Sequence, residues 1–317
     1  MAFLVIVSLL AIRKTDLFAV VMLFGIYSFL TALWFLDLDA VDVAFTEAAV
    51  GAGISTVLML STLRLIGRFE KPRRRNPILP LLVVCVTGAA LLYGMLDVPQ
   101  FGDPNAPIHL HMAPRFIQDS PTEIGVPNMV TSVLASYRGY DTLGETTVIF
   151  TAGVAVLLLL GRREGKNRRT GRTAIGDAMV LRVVVKVLIA FILLYALYVQ
   201  FHGDYGAGGG FQAGVIFATA FVIYDLVFGE ADVRRVLPQR WLSRLAVSGV
   251  LLYAGTGVAC MLLGKSFLDY SALAHDPVHG QHLGILLIEL GVGTAVFSVI
   301  LSIFYAFSGL RRPNPSA

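Results

Sequence analysis

LFAVVMLFGIYSFLTALWFL, Leu17 to Leu36, runs for twenty residues without a charged side chain. A helix of that length rises about 30 Å, the thickness of a bilayer's hydrocarbon core. Working outward, the same texture recurs at Val43–Leu63, Ile78–Leu96, Thr142–Leu160, Leu181–Phe201, Phe211–Phe228, Trp241–Leu263 and Leu283–Phe307. Ala2–Ile12 is equally apolar but too short to cross unaided. Of the 317 residues, 56% are hydrophobic and 15% are charged, against about 25% charged in soluble domains. Mean hydropathy is +0.75. These values exclude a soluble globular protein, a disordered chain and a secreted disulfide scaffold. The expected fold is all-α: a polytopic integral membrane protein of about nine transmembrane helices, or eight if Ala2–Ile12 stays shallow.

The basic residues set an expected orientation. Alternate junctions between spans hold 22 of the 25 Lys and Arg residues, leaving Arg115, Arg138 and Lys265 for the opposite side. By the positive-inside rule the N-terminus is outside and the C-terminus cytoplasmic. The net charge of +4 thus follows from membrane topology rather than from a nucleic-acid partner. Arg13 and Lys14 follow the first apolar run instead of preceding it, which argues against a signal peptide. Cys85 and Cys260 lie far apart inside apolar runs and read as small buried hydrophobes.

One external segment, Asp97 to Tyr140, is too long for a simple connection, and its prolines argue against helix over most of it. At its end Asn128 is placed to cap a short helix with Val130, Val133, Leu134 and Tyr137 on one face, suited to lying on the outer surface. An ordinary loop helix fits the same residues. No internal or inverted repeat is evident, which argues that the chain does not transport alone.

Ionisable side chains at membrane depth cost about 2.5–3.5 kcal/mol on insertion scales, so each is a candidate functional group. A span of about 20 residues counted back from Arg64 leaves Glu47 in the outer leaflet. It heads a stripe of Gly51, Ser55, Leu58 and Thr62 that suits a protein-facing side; an interfacial carboxylate is the alternative. Thr146–Leu160 is too short to cross, so that helix is expected to begin near Asp141, with Glu145 about one turn below the surface. There Glu145 also suits the helix dipole, a purely structural role. Lys186 lies near the cytoplasmic end of its span, where snorkelling is the default. Asp225 reads as interfacial, and Glu289 lies within two turns of an outer end, ahead of Gly293.

HGDYGAGGGFQAG, His202 to Gly214, joins two spans outside. Its glycines permit positive φ, and N–H groups ahead of a helix suit an anion; a tight turn between packed helices is the simpler reading. It lacks the Lys-Ser/Thr ending of a phosphate loop and follows a helix. His275, His279 and His282 share one outer loop, but Pro277 argues against the regular helix a metal site there needs. No catalytic constellation, metal site or cofactor is expected.

Three segments resemble the membrane subunits of Mrp-type multisubunit cation/proton antiporters, also found in energy-converting hydrogenases. DVAFTEAAVGAG (Asp42–Gly53) resembles a three-span module from the C-terminal part of the large antiporter subunit, and YRGYDTLGE (Tyr137–Glu145) is similar to the two-span module that follows it. FHGDYGAGGGFQAG (Phe201–Gly214) and LIELGVG (Leu287–Gly293) resemble the four-span MnhB-like subunit. The resemblance implies modules over 1–72, 73–165 and 166–317. The sequence departs from the family pattern at Ala207 (usually proline), Asp204 (commonly histidine) and Ser136 (often aspartate).

The resemblance implies an accessory subunit of a sodium, or related cation, and proton antiporter in a bacterial or archaeal cell membrane. It assigns ion or proton translocation to Glu47, Arg138 and Glu145, with Lys186 and Glu289 as further candidates, and a functional loop at Gly208, Gly209, Gly210 and Phe211. The implied partners are a separate proton-pumping antiporter-like membrane subunit and small membrane subunits. A membrane arm of a redox-driven pump, and a scaffold without a transport role, are the alternatives.

Overall fold

The computed structural model describes residues 1–70, 78–160 and 179–308. The expected module boundaries at 72/73 and 165/166 lie outside these residues, as does much of the basic sequence of the expected cytoplasmic junctions. Ten helices carry the architecture: α1 (Ala2–Arg13), α2 (Leu17–Asp37), α3 (Val41–Ile66), α4 (Ile78–Met95), α5 (Gly139–Leu160), α6 (Met179–His202), α7 (Gly210–Phe228), α8 (Glu230–Val236), α9 (Gln239–Leu262) and α10 (Pro277–Ser308). Eight of them are long and apolar enough to cross a membrane. The 12 residues of α1 rise only about 18 Å, so this element is helical but short, as its sequence indicates. The described residues form no strand; one isolated bridge joins Asp16 to Phe69.

That bridge fastens the start of α2 to the end of α3. Asp16 caps α2 by accepting from the Phe18 N–H and holds Arg68 at 2.7 Å. The guanidinium keeps the Asp16 carboxyl below the usual carboxylate range. α3 departs from regular geometry: Ala48–Ser55 winds as a π-helix. The wider turn advances side chains by a different angle per residue, yet Gly51 still lies beside the Glu47 carboxylate.

α10 forms the centre of the C-terminal half, with α7, α9 and α5 against it. Small residues set the approach. A Cβ on Gly214 would lie 2.7 Å from the Gly293 carbonyl oxygen, and one on Gly153 would lie 2.9 Å from a Val299 methyl. Apolar lipid rewards no burial of leucine, so close backbone contact carries the packing. Ile285, Ile288, Val296, Leu301, Phe304 and Tyr305 of α10 are nearly inaccessible, whereas no residue of α4 is buried.

Two expectations about the segments between spans are corrected. Pro277 does not prevent a helix at the histidines; it begins α10, where a missing N–H costs nothing. The prolines of the external segment likewise stand at helix starts. Pro107 and Pro114 precede short π-helical turns at Ile108–Met112 and Arg115–Asp119, and Pro121 sits in the first turn of Ser120–Glu123. Asn128 does cap a short helix, accepting from the Val130 N–H at 3.0 Å. Its buried face, however, is Thr131, Ser132 and Ala135, while Leu134 is exposed. The small face meets protein, while on the apolar face Leu134 is exposed and Val130, Val133 and Tyr137 are half-buried. Ser136, Gly139 and Ala135 moor this segment, through Ser136 Oγ donating to Gln281 at 2.8 Å and the Tyr253 and Tyr270 hydroxyls donating to the Gly139 and Ala135 carbonyls.

Candidate functional site

The chain reverses between α6 and α7 in seven residues, 203–209. Gly209 closes the turn at φ +103°, a conformation that strains any residue with a Cβ, and its N–H donates to the Val199 carbonyl at 2.9 Å. Gly210 starts α7 pressed against α10, so that a Cβ would collide with the Glu289 carbonyl oxygen. These contacts put Glu289 directly beside the loop: Oε1 lies 3.0 Å from where a Gly209 Cβ would stand and 3.1 Å from a Gly203 Cβ. Among the described residues no hydrogen bond or ion pair reaches this carboxylate. The start of α7 supplies the partial positive end of a helix dipole nearby.

Glu289 is 12 residues into α10, about 18 Å from its first residue, whereas the expected span starts six residues before it. The difference follows from Pro277 starting the helix early. From Gly210, beside Glu289, α7 runs 19 residues to Phe228, a rise of about 28 Å that matches a bilayer core. Glu289 therefore stands level with the start of α7, and the first turns of α10 extend beyond it.

Two more carboxylates converge here. Asp42, in the first turn of α3, accepts from the Gly208 N–H at 3.4 Å. Gln212 of α7 donates to Thr46 Oγ1 at 2.9 Å, tying α3 to the same place. Asp204 lies in the loop with His282 of α10 at 3.8 Å. Burial pushes the Asp204 carboxyl above its ordinary range, and the nearby imidazole pulls the other way. Asn128 covers the loop, its amide donating to the Gly203 and Gly206 carbonyls at 3.1 and 3.0 Å, and the Thr131 hydroxyl donates to Gly203 at 2.6 Å.

Of the residues singled out from sequence, the structure joins Gly208, Gly209, Gly210 and Glu289. Phe211 follows in α7 and packs against the buried core. Glu47 lies elsewhere, between α3 and α2: a Cβ on Gly51 would meet its carboxylate and stand 2.7 Å from Ser28 Oγ. Glu145 is exposed near the start of α5. Arg138 is ion-paired with Asp141 at 2.5 Å rather than with Glu145. Lys186 is exposed, its ammonium 5.7 Å from the Phe228 ring at the far end of α7. Of the clustered histidines, His279 pairs with Asp276 at 3.3 Å and His282 with Asp204, both histidines standing in the first turns of α10. Among the described residues no group of His, Cys, Asp and Glu has metal-site geometry.

Asp42, Asn128, Gln212 and Asp204 belong to the site without having been singled out as site residues. Asp42 and Gln212 do fall inside the quoted motifs, but hydropathy places both at span ends, where a polar residue carries no signal.

The chain is similar to known proteins along nearly its whole length. Family models match in order along the chain: the MBH subunit MbhD at residues 2–68, the MBH subunit MbhE at 72–174, and "Domain related to MnhB subunit of Na+/H+ antiporter" at 180–302. A Staphylococcus haemolyticus protein named as antiporter subunit mnhB2 is 38% identical over 134 residues, 41% of this chain and 94% of the relative. A Rhizobium meliloti protein named as the A/B subunit of a K(+)/H(+) antiporter is 26% identical over 341 residues, 94% of this chain and 33% of its own length. Among solved structures, a chain of the Mrp complex from Dietzia sp. superposes with a TM-score of 0.73 at 27% identity, covering 97% of this chain and 34% of that one. A chain of the membrane-bound sulfane sulfur reductase, an archaeal respiratory membrane complex, gives a TM-score of 0.54 at 29% identity, covering 71% and 96%. The present chain thus spans about a third of the large antiporter subunits and nearly all of an mnhB2 chain. With an MnhB relative covered almost end to end and MbhD- and MbhE-like modules ahead of it, the chain belongs to the Mrp-type antiporter subunits, as a fusion of D/E-like and MnhB-like modules.

Proposed function

We propose that this chain is an accessory subunit of a multisubunit antiporter that exchanges protons for sodium or a related cation, and that it contributes carboxylates to the ion or proton path. The observation that carries the reading is Glu289: a carboxylate packed against the 203–209 loop, with Asp42 and Asp204 close by and no basic residue paired to it among those described. Either a proton or a cation neutralises it, which is the exchange an antiporter requires. The glycine loop and Asn128 hold the site closed on one side.

Glu47 and Glu145 serve as further stations under this reading. Ser28 lines the position of Glu47, while the exposed Glu145 is available to another subunit. Arg138, paired to Asp141, acts on Glu145 through that pair. The N-terminus lies outside and the C-terminus in the cytoplasm, in three modules over 1–72, 73–165 and 166–317. A separate antiporter-like subunit and small membrane subunits complete the complex. A second reading, a membrane arm of a redox-driven pump, draws support from the likeness to the archaeal respiratory complex.

The test is purification of the native complex through a tag on this chain, with each companion identified by mass, followed by exchange assays on inside-out vesicles carrying Glu145→Gln. Companions with many membrane spans and no metal-cluster proteins, with cation-dependent proton exchange lost in the variant, support the antiporter. Iron–sulfur or nickel-bearing companions select the redox-driven pump, and intact exchange removes Glu145 from the path.

A further inference from the structure

At the end of α7 remote from Glu289, α6, α7 and α8 enclose an apolar cavity of about 230 Å³ lined by Ile189, Leu193, Ala220, Phe221, Tyr224 and Val236. Ile189 and Leu193 are one turn apart on α6, and the same helical face continues to Lys186 and Arg182. Both cations sit over one ring: the Lys186 ammonium is 5.7 Å and the Arg182 guanidinium carbon 5.3 Å from the centroid of Phe228. Tyr224 stacks on Phe228 at 4.8 Å, so an aromatic wall runs from the cavity to the cations.

The acidic groups on the neighbouring elements are directed elsewhere. Glu230 of α8 pairs with Arg234 at 2.7 Å, and Asp232 pairs with Arg235 at 3.1 Å. Asp225 of α7 is buried and lies near Tyr305 of α10. Among the described residues no carboxylate is paired with Arg182 or Lys186. Like charges one turn apart on a helix repel each other. An anion with a hydrocarbon tail would relieve that repulsion and fill the apolar slot beside it.

We propose that this cleft is a binding site for an anionic phospholipid, with the phosphate held by Lys186 and Arg182 and an acyl chain along Ile189, Leu193, Phe221 and Tyr224. The proposal does not depend on the antiporter reading, and it gives Lys186 a lipid to hold instead of a place on the ion path. Basic pockets between membrane helices bind such headgroups, at about 1 kcal/mol for each Lys or Arg.

The test is native mass spectrometry of the detergent-purified complex, titrated with phosphatidylglycerol, phosphatidylcholine or inorganic phosphate. Wild type should retain phosphatidylglycerol in preference to phosphatidylcholine. The double variant Arg182→Gln/Lys186→Gln should bind phosphatidylglycerol about thirty-fold more weakly, two charges being lost. Leu193→Trp should displace the same lipid by filling the slot while both cations remain. Equal retention of the two lipids, undiminished binding in the double variant, or displacement of the lipid by equimolar phosphate would each overturn the proposal.

Discussion

Gly210→Ala isolates the contact on which the candidate site depends. The added Cβ would collide with the Glu289 carbonyl oxygen and stand 2.9 Å from both the Glu289 carbonyl carbon and the Gly293 nitrogen. All three are backbone atoms, so no side chain can rotate away; α7 and α10 must separate by about 1 Å to reach ordinary contact. Overpacking of this kind costs about 1–3 kcal/mol, and a backbone obstacle belongs at the upper end. Alanine's better helix propensity returns at most about 1 kcal/mol, leaving a net loss of about 2 kcal/mol. Gly255→Ala is the matched control, since it lies within α9 and has nothing within 4 Å of where its methyl would stand; it should be neutral or stabilising by up to about 1 kcal/mol. The assay is thermal unfolding of the purified complex in one detergent, with the yield of co-purifying subunits as a second readout. Gly210→Ala should melt several degrees below Gly255→Ala. Equal melting of the two variants would refute the close α7–α10 approach and the placement of Glu289 that rests on it.

Other consequences follow from the outer face. The Asp204 carboxyl is raised by burial, so its contribution to stability is complete below the ordinary carboxylate range and is lost as pH rises through the elevated value. Asp204→Asn should remove that decline from a pH series of melting temperatures, and His282→Ala should shift it to higher pH by removing the imidazole that opposes it. The Tyr137 hydroxyl, pushed up to about 12 by burial and by Glu123, donates to Glu123 at 2.6 Å. Tyr137→Phe should cost about 1 kcal/mol, read as faster proteolysis of the 97–128 segment; an unchanged cleavage rate would remove that bond from the loop's anchorage. Asn128→Ala removes a cap and two donors to the glycine loop, and should lower the melting temperature more than Tyr137→Phe.

The spans were legible because a run such as Leu17–Leu36 satisfies a length and a polarity requirement together. The faces were not. Val133 and Leu134 marked an apolar face, but which side of the helix meets protein was not written there: Thr131, Ser132 and Ala135 are buried, because apolarity does not mark the interior when the surroundings are as apolar as leucine. The start of the last helix was misplaced for a different reason. Pro277 reads as a helix breaker or as a first-turn residue, and only the packing of Tyr270 against Gly280 and Gly284 places it at the start of α10. The glycine run was visible as a motif, but its partner was not: the group lying against it is the chain's own Glu289, 79 residues beyond Gly210. The π-helical turn at Ala48–Ser55 has no signature in hydropathy.

Cation-dependent proton exchange by the complete complex carrying Glu289→Gln tests the central claim most directly. Glutamine preserves the size of the side chain against Gly203 and Gly209 but cannot take up or release a proton. Exchange should be lost while the subunit complement and melting temperature match wild type, and Glu289→Asp should restore a part of it. Wild-type exchange by the Gln variant would contradict the claim that this carboxylate lies on the path.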